Sequence, residues 1–186
     1  MNKAQAAVPP VTEDVRAQAA NRPGGWVYAI DPYFDPAGKV PPIGIVGAWK
    51  VDPHGRITDE FNHNPNYRPS PRALGMPLPS DPVDAAVQLA ATGYAPDADV
   101  RRALMDATVY LAPSPDPQAQ LQAGGANGPA IALYTHPTHA PRSAPRLQRV
   151  DFRDLLPRLP EYTVVVLNGN SSASVRIPLA DMQGES

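Results

Sequence analysis

An α+β fold, with helices on one face of a mixed sheet and an antiparallel β-meander ahead of it, is what this 186-residue sequence predicts. Three observations carry that expectation. Strand-like runs in residues 25–61 are separated only by turn signals, and two runs of helical period follow between residues 81 and 107. The near-continuous apolar run in "YTVVVLN" (162–168) then has the character of a central strand buried on both faces. No period of 20–50 residues repeats, which excludes a solenoid.

The elements follow in order. Residues 1–11 lack apolar periodicity and read as disordered. Thr12 is an N-cap for a marginal helix in "EDVRAQAAN", with Glu13 and Asp14 suited to the helix dipole. "GGWVYAID" (24–31) and "IGIVGAWKVD" (43–52) are strands, and "DPHG" (52–55) turns the chain into "RITDEF". Gly44 and Gly47 mark a bulge or a close backbone approach in the second strand, while Trp26 and Trp49 are core candidates. Asp81, Pro82 and Asp84 open a helix whose buried face is Val83, Ala86, Val87 and Ala90, and Gly93 ends it. A second helix buries Val100, Ala103, Leu104 and Ala107 before the strand "TVYLA".

"PSPDPQAQLQAGGANG" (113–128) is the most linker-like segment and reads as a long loop between strands. "PAIALYT" resumes as a strand and "LQRV" as a short one. In "DFRDLLPRL", Asp151 caps a helix that buries Leu155, Leu156 and Leu159 and that Pro157 keeps short. "SVRIP" returns as the antiparallel neighbour of the 162–168 strand, and "LADM" is a last helical turn. The expected organisation is a flexible segment over 1–22, a meander with a proline-rich connector over 23–80, and an α+β domain over 81–186.

Composition bounds the chemistry. The chain has 25 prolines and 13 glycines, about a fifth of its length, above the usual share but below that of low-complexity chains. With no cysteine it has neither disulfides nor thiolate metal sites. A net charge of −2 gives no electrostatic footprint for nucleic acid. No apolar run approaches membrane-spanning length, so membrane insertion is not expected and a cytoplasmic location is the default expectation.

No stretch carries a catalytic motif, and neither a cofactor nor a metal is expected. His136 and His139 in "HPTH" have a spacing that metal ligands use, but Pro137 puts them in a loop without nearby acidic partners. There is no GxSxG elbow, and Ser171, Ser172 and Ser174 read as solvated turn hydroxyls. Asp31 and Asp35, each before a proline, read as turn starters in preference to a cation site. Arg142, Arg146, Arg149, Arg153 and Arg158 read as a solvated face with intrahelical pairs. "NHNPNYRPSPRALG" (62–75) is polar and punctuated by proline, yet it contains Tyr67 and Leu74, which a slack linker does not need. It reads as an ordered extended segment anchored by Tyr67, against the competing reading of a polyproline II ligand.

On these residues the chain resembles a family. "GGWVYAIDPYFDPAGKVPPIGIVGAWKVDPHGRI", "NPNYRPSPRALGMP" and "DPVDAAVQLAATGY" resemble the actinobacterial type VII secretion system-associated proteins. "AIALYTHPTH", "DFRDLLPRL" and "VVVLNGNSSASVRIP" are similar, in order, to SseB-like domains. Gly169 after Asn168, where proline is common in the family, and Tyr134 for phenylalanine are departures. The resemblance spans roughly residues 12–182 and implies a non-enzymatic cytoplasmic accessory with a protein partner, a secretion component or substrate. It supplies no catalytic residues. The expected contact patch is Tyr67, Arg68 and Arg72, because tyrosine and arginine are enriched at interface hot spots. The alternative is a small-molecule-binding or hydrolytic domain using a pocket between the two lobes. A third reading, a structural subunit of a homo-oligomer, predicts a mass that rises with concentration.

Overall fold

The structure is a computed structural model that describes residues 7–113, 128–144 and 146–182. The long loop read at 113–128 falls almost wholly on residues outside that set, as does the start of the N-terminal segment. The fold class is α+β, in two compact units, Met1–Gly75 and Met76–Ser186. The break follows Gly75, not residue 80 as expected, so the connector divides between the units.

In the first unit, Thr12 caps α1 (Glu13–Ala20), its hydroxyl accepting from the Val15 N–H. The segment over 1–22 that reads as flexible thus includes a packed helix. Its Ala19 is fully buried with Val27 and Val51, and tertiary packing supplies what its thin apolar face lacks. Strands β1 (Trp26–Ile30), β2 (Ile45–Val51) and β3 (Ile57–His63) form an antiparallel sheet in chain order. The strand β3 runs two residues beyond the expected end of the meander. The Asp52 carboxylate accepts from the N–H groups of His54 and Arg56 at 2.8 Å, and Gly55 has φ +79°, which together close the β2–β3 turn. Gly47 is a close approach: a Cβ there would sit 2.5 Å from the Asn62 carbonyl oxygen and from the Phe61 ring. Trp49 is buried against Phe61, whereas Trp26 is half-buried beneath the Lys50 ammonium, 4.9 Å from its ring centre.

The second unit begins with α2 (Pro82–Ala91) and α3 (Asp97–Met105). Both side-chain cap bonds of Asp81, to the N–H groups of Val83 and Asp84, are 2.9 Å long. The strand β4 (Thr108–Leu111) pairs antiparallel with β6 (Gln148–Asp151). The strand β7 (Val164–Leu167) is central in a second ladder, parallel to β5 (Ala130–Leu133) and antiparallel to β8 (Val175–Pro178). A Tyr110–Tyr134 bridge joins the ends of β4 and β5. Burial on both faces of β7 is incomplete, since Val166 is only half-buried.

One core holds this unit. Val83, Val87, Val100 and Leu104 from the two helices meet Ile131, Leu133, Val165, Leu167 and Ile177 from the sheet, with Phe152 and Leu155 from α4 (Phe152–Leu155). Each such fully buried side chain contributes about 1.5–3 kcal/mol of transfer free energy. Pro157 converts the end of α4 into a 3-10 turn, leaving Leu155 and Leu159 buried and Leu156 only partly so. Asp151 does precede α4, but its carboxylate accepts from the Thr108 hydroxyl instead of capping. Arg153 reaches across to the Asp106 carboxylate and the Met105 carbonyl, a tertiary pairing in place of the intrahelical one expected. No helix among the described residues is long and apolar enough to cross a membrane.

Candidate functional site

Asp31 and Asp35 both start turns: their carboxylates accept from the Tyr33 and Ala37 N–H groups, each at 2.9 Å. Asp31 goes further, because it is fully buried. Its two oxygens also accept from the Tyr67 hydroxyl at 2.8 Å, the Ser70 N–H at 3.0 Å and the Ser70 hydroxyl at 2.5 Å. A buried carboxylate without donors is costly, and four donors converging on one group make it a clamp. Three of those donor bonds come from the connector.

The rest of the connector is fixed in the same manner. The Asn64 side chain donates to the carbonyls of Pro42 and Ile45 at 2.7 Å, and the Arg68 N–H donates to Ile43. The Arg72 guanidinium donates to the Pro32 carbonyl at 3.2 Å. Thus residues 64–75 are an ordered part of the first unit. Of the expected contact residues, Arg68 and Arg72 are exposed, while half-buried Tyr67 spends its hydroxyl on Asp31. Leu74 stands 55% exposed beside them in sequence.

No protein-family model, curated protein or solved structure matches the chain.

The second unit contains a polar cluster that no single segment announces. His139 is the last residue of a 3-10 turn (Pro137–His139), and its two ring nitrogens are both engaged. Nδ1 lies 2.6 Å from the Ser171 hydroxyl, and Nε2 lies 2.8 Å from the Ser80 hydroxyl and 3.5 Å from the Asp84 carboxylate. Asp84, on the first turn of α2, is buried, and it accepts from the Ser80 N–H and the Gln88 side chain. His136 is not part of this arrangement: its Nδ1 faces Thr138.

Asn168 brings two of the turns together. It is fully buried with φ +52°, a conformation that asparagine tolerates better than most residues. Its amide oxygen accepts from the Thr135 N–H and its amide nitrogen donates to the Thr135 hydroxyl, both at 3.0 Å. Its carbonyl accepts the Ser171 N–H at 2.8 Å. One asparagine therefore ties the segment leading to His139 to the turn that carries Ser171.

Asp81 borders this cluster. Burial by itself raises its pKa, but hydrogen bonds from Ser80, the Asp84 N–H, Thr135 and the Val83 N–H outweigh it, and the carboxyl titrates below its ordinary 3.8. Asp52 is likewise lowered, chiefly by the Arg56 N–H. A carboxyl with a depressed folded-state pKa stabilises the protein above its unfolded pKa, and that stability is lost as pH falls through the folded value. Urea unfolding followed against pH should therefore show stability declining below pH 3.8. Asp81→Asn, which retains a capping oxygen, should make the decline shallower.

Proposed function

We propose that the protein is an interaction module of type VII secretion, acting in the cytoplasm and binding a secretion component or substrate through its connector. The link to secretion rests on the motif resemblance of residues 24–57, 64–77 and 81–94. The observation that carries the binding role is the Asp31 clamp. It fixes the connector at Tyr67 and Ser70, so Arg68, Arg72 and Leu74 stand on an ordered backbone with less conformational entropy to lose on binding than a slack linker has. The role of this surface is binding, not turnover. Its two arginines suit a partner with acidic groups flanking an apolar one.

Affinity capture of the tagged full chain from an actinobacterial lysate carrying a type VII system tests this. Secretion ATPase, membrane components or small helical substrates should be enriched, and the double variant Arg68→Glu/Arg72→Glu should reduce that enrichment about tenfold while the chain stays folded. Undiminished capture by the double variant removes the connector from the reading. Capture without secretion components removes the link to secretion.

A further inference from the structure

The His139 cluster fixes where that histidine carries its proton. Ser80 Oγ lies 2.7 Å from the Asp81 carboxylate, which only accepts, so the single Ser80 hydroxyl proton goes there. Ser80 then offers His139 Nε2 a lone pair, and Asp84 offers the same nitrogen a carboxylate oxygen. Facing two acceptors, Nε2 carries the hydrogen. In the neutral ring Nδ1 is then the bare nitrogen, and the Ser171 hydroxyl, 2.6 Å away, donates to it. The side chains of His139 and Asp84 are 14% and 4% exposed, so this base and its carboxylate are largely withdrawn from water. Ser171 is half-buried, at a turn whose neighbours Gly169, Asn170 and Ser172 are exposed.

From this geometry we infer that Ser171 is a nucleophile activated by His139, with Asp84 as a positioning residue, in an acyl-transfer site within the second unit. All the residues needed come from Met76–Ser186, and the inference stands apart from the connector. The Ser171 oxygen attacks the carbonyl carbon of an ester while its proton passes to His139 Nδ1. The tetrahedral intermediate expels the alcohol oxygen, which takes that proton, and Ser171 is left acylated. Water then attacks the acyl carbon, gives a proton to Nδ1, and Ser171 leaves with its proton restored. The net change is ester plus water to acid plus alcohol. During each attack the imidazolium faces Asp84, which stabilises it and keeps the ring oriented. The carboxylates of Asp81 and Asp84 repel anions, so the substrate class is an uncharged or cationic carboxylic ester, not a phosphate ester.

The test uses the wild-type full chain with a fluorophosphonate probe and with p-nitrophenyl acetate. One probe should attach, mapped to Ser171 by peptide mass, and the acetate ester should release nitrophenolate. His139→Gln should slow labelling about a hundredfold. Asp84→Asn should slow labelling about tenfold, and Asp84→Glu, which restores the carboxylate, should recover part of that rate. A merely structural role for Asp84 predicts the reverse order, because asparagine is the better fit to the buried position. Mapping on wild type needs no variant to fold. Absence of label on the folded chain, label at another residue, or labelling of Ser171 at an unchanged rate in His139→Gln overturns the inference.

Discussion

Asp31→Ala is expected to cost about 4 kcal/mol of unfolding free energy, measured by urea denaturation of the full chain. The substitution removes the shared acceptor of Tyr67 and Ser70 in a site fully closed to water, and leaves the Ser70 N–H and hydroxyl buried without it. Two milder changes separate the contributions. Asp31→Asn keeps one acceptor oxygen but turns the other into a donor facing donors, and should cost about half as much. Tyr67→Phe removes one donor from the rim of the site and should cost about 1 kcal/mol. If Asp31→Ala and Tyr67→Phe cost the same, the clamp is not the organising contact of the connector.

Asn168→Ala should cost about 3 kcal/mol in the same measurement. It forces a Cβ-bearing residue without asparagine's local hydrogen bonding into positive φ, and it strands the buried Thr135 N–H. Asn168→Gly relieves the backbone strain while still losing both side-chain bonds, so it should recover about 1 kcal/mol of the loss. Both variants should also loosen Ser171 and His139, since the turns carrying them are tied through this residue. Equal stability of the alanine and glycine variants would mean that the backbone conformation contributes nothing.

Local chemistry made much of the fold legible. Asp81 with Pro82 specified the start of α2, and Asp52 with Gly55 specified the β2–β3 turn, because both are short-range hydrogen-bonding devices written within four residues. Pro157 similarly predicted a truncated α4. Legibility ended where one side chain serves two distant segments. Asp31 was readable as a turn residue, which it is, but its second oxygen serves donors 36 and 39 residues away. The Ser80, His139 and Ser171 cluster was missed for the same reason, since its contacts span 59 and 32 residues and each member alone resembles a solvated turn residue. The available signal was the serine directly before the Asp81 cap and the asparagine ending the strongest strand. Neither carries weight until the sheet order places their turns together.

That sheet order also sets a timetable for synthesis. In the first unit each strand pairs with its neighbour in sequence, so its ladder can close as soon as residue 63 has emerged. In the second, β4 waits for β6 and β5 waits for β7, so two of the ladder's pairings skip an intervening strand. At about 5–20 residues per second, the nascent chain carries β4 without its partner until Gln148 to Asp151 appear, and β5 without its partner until Val164 to Leu167 appear, an interval of a few seconds for each. Newly made protein thus holds a completed first unit and an open-edged second one during that interval, which is when chaperones and stray strands compete for it.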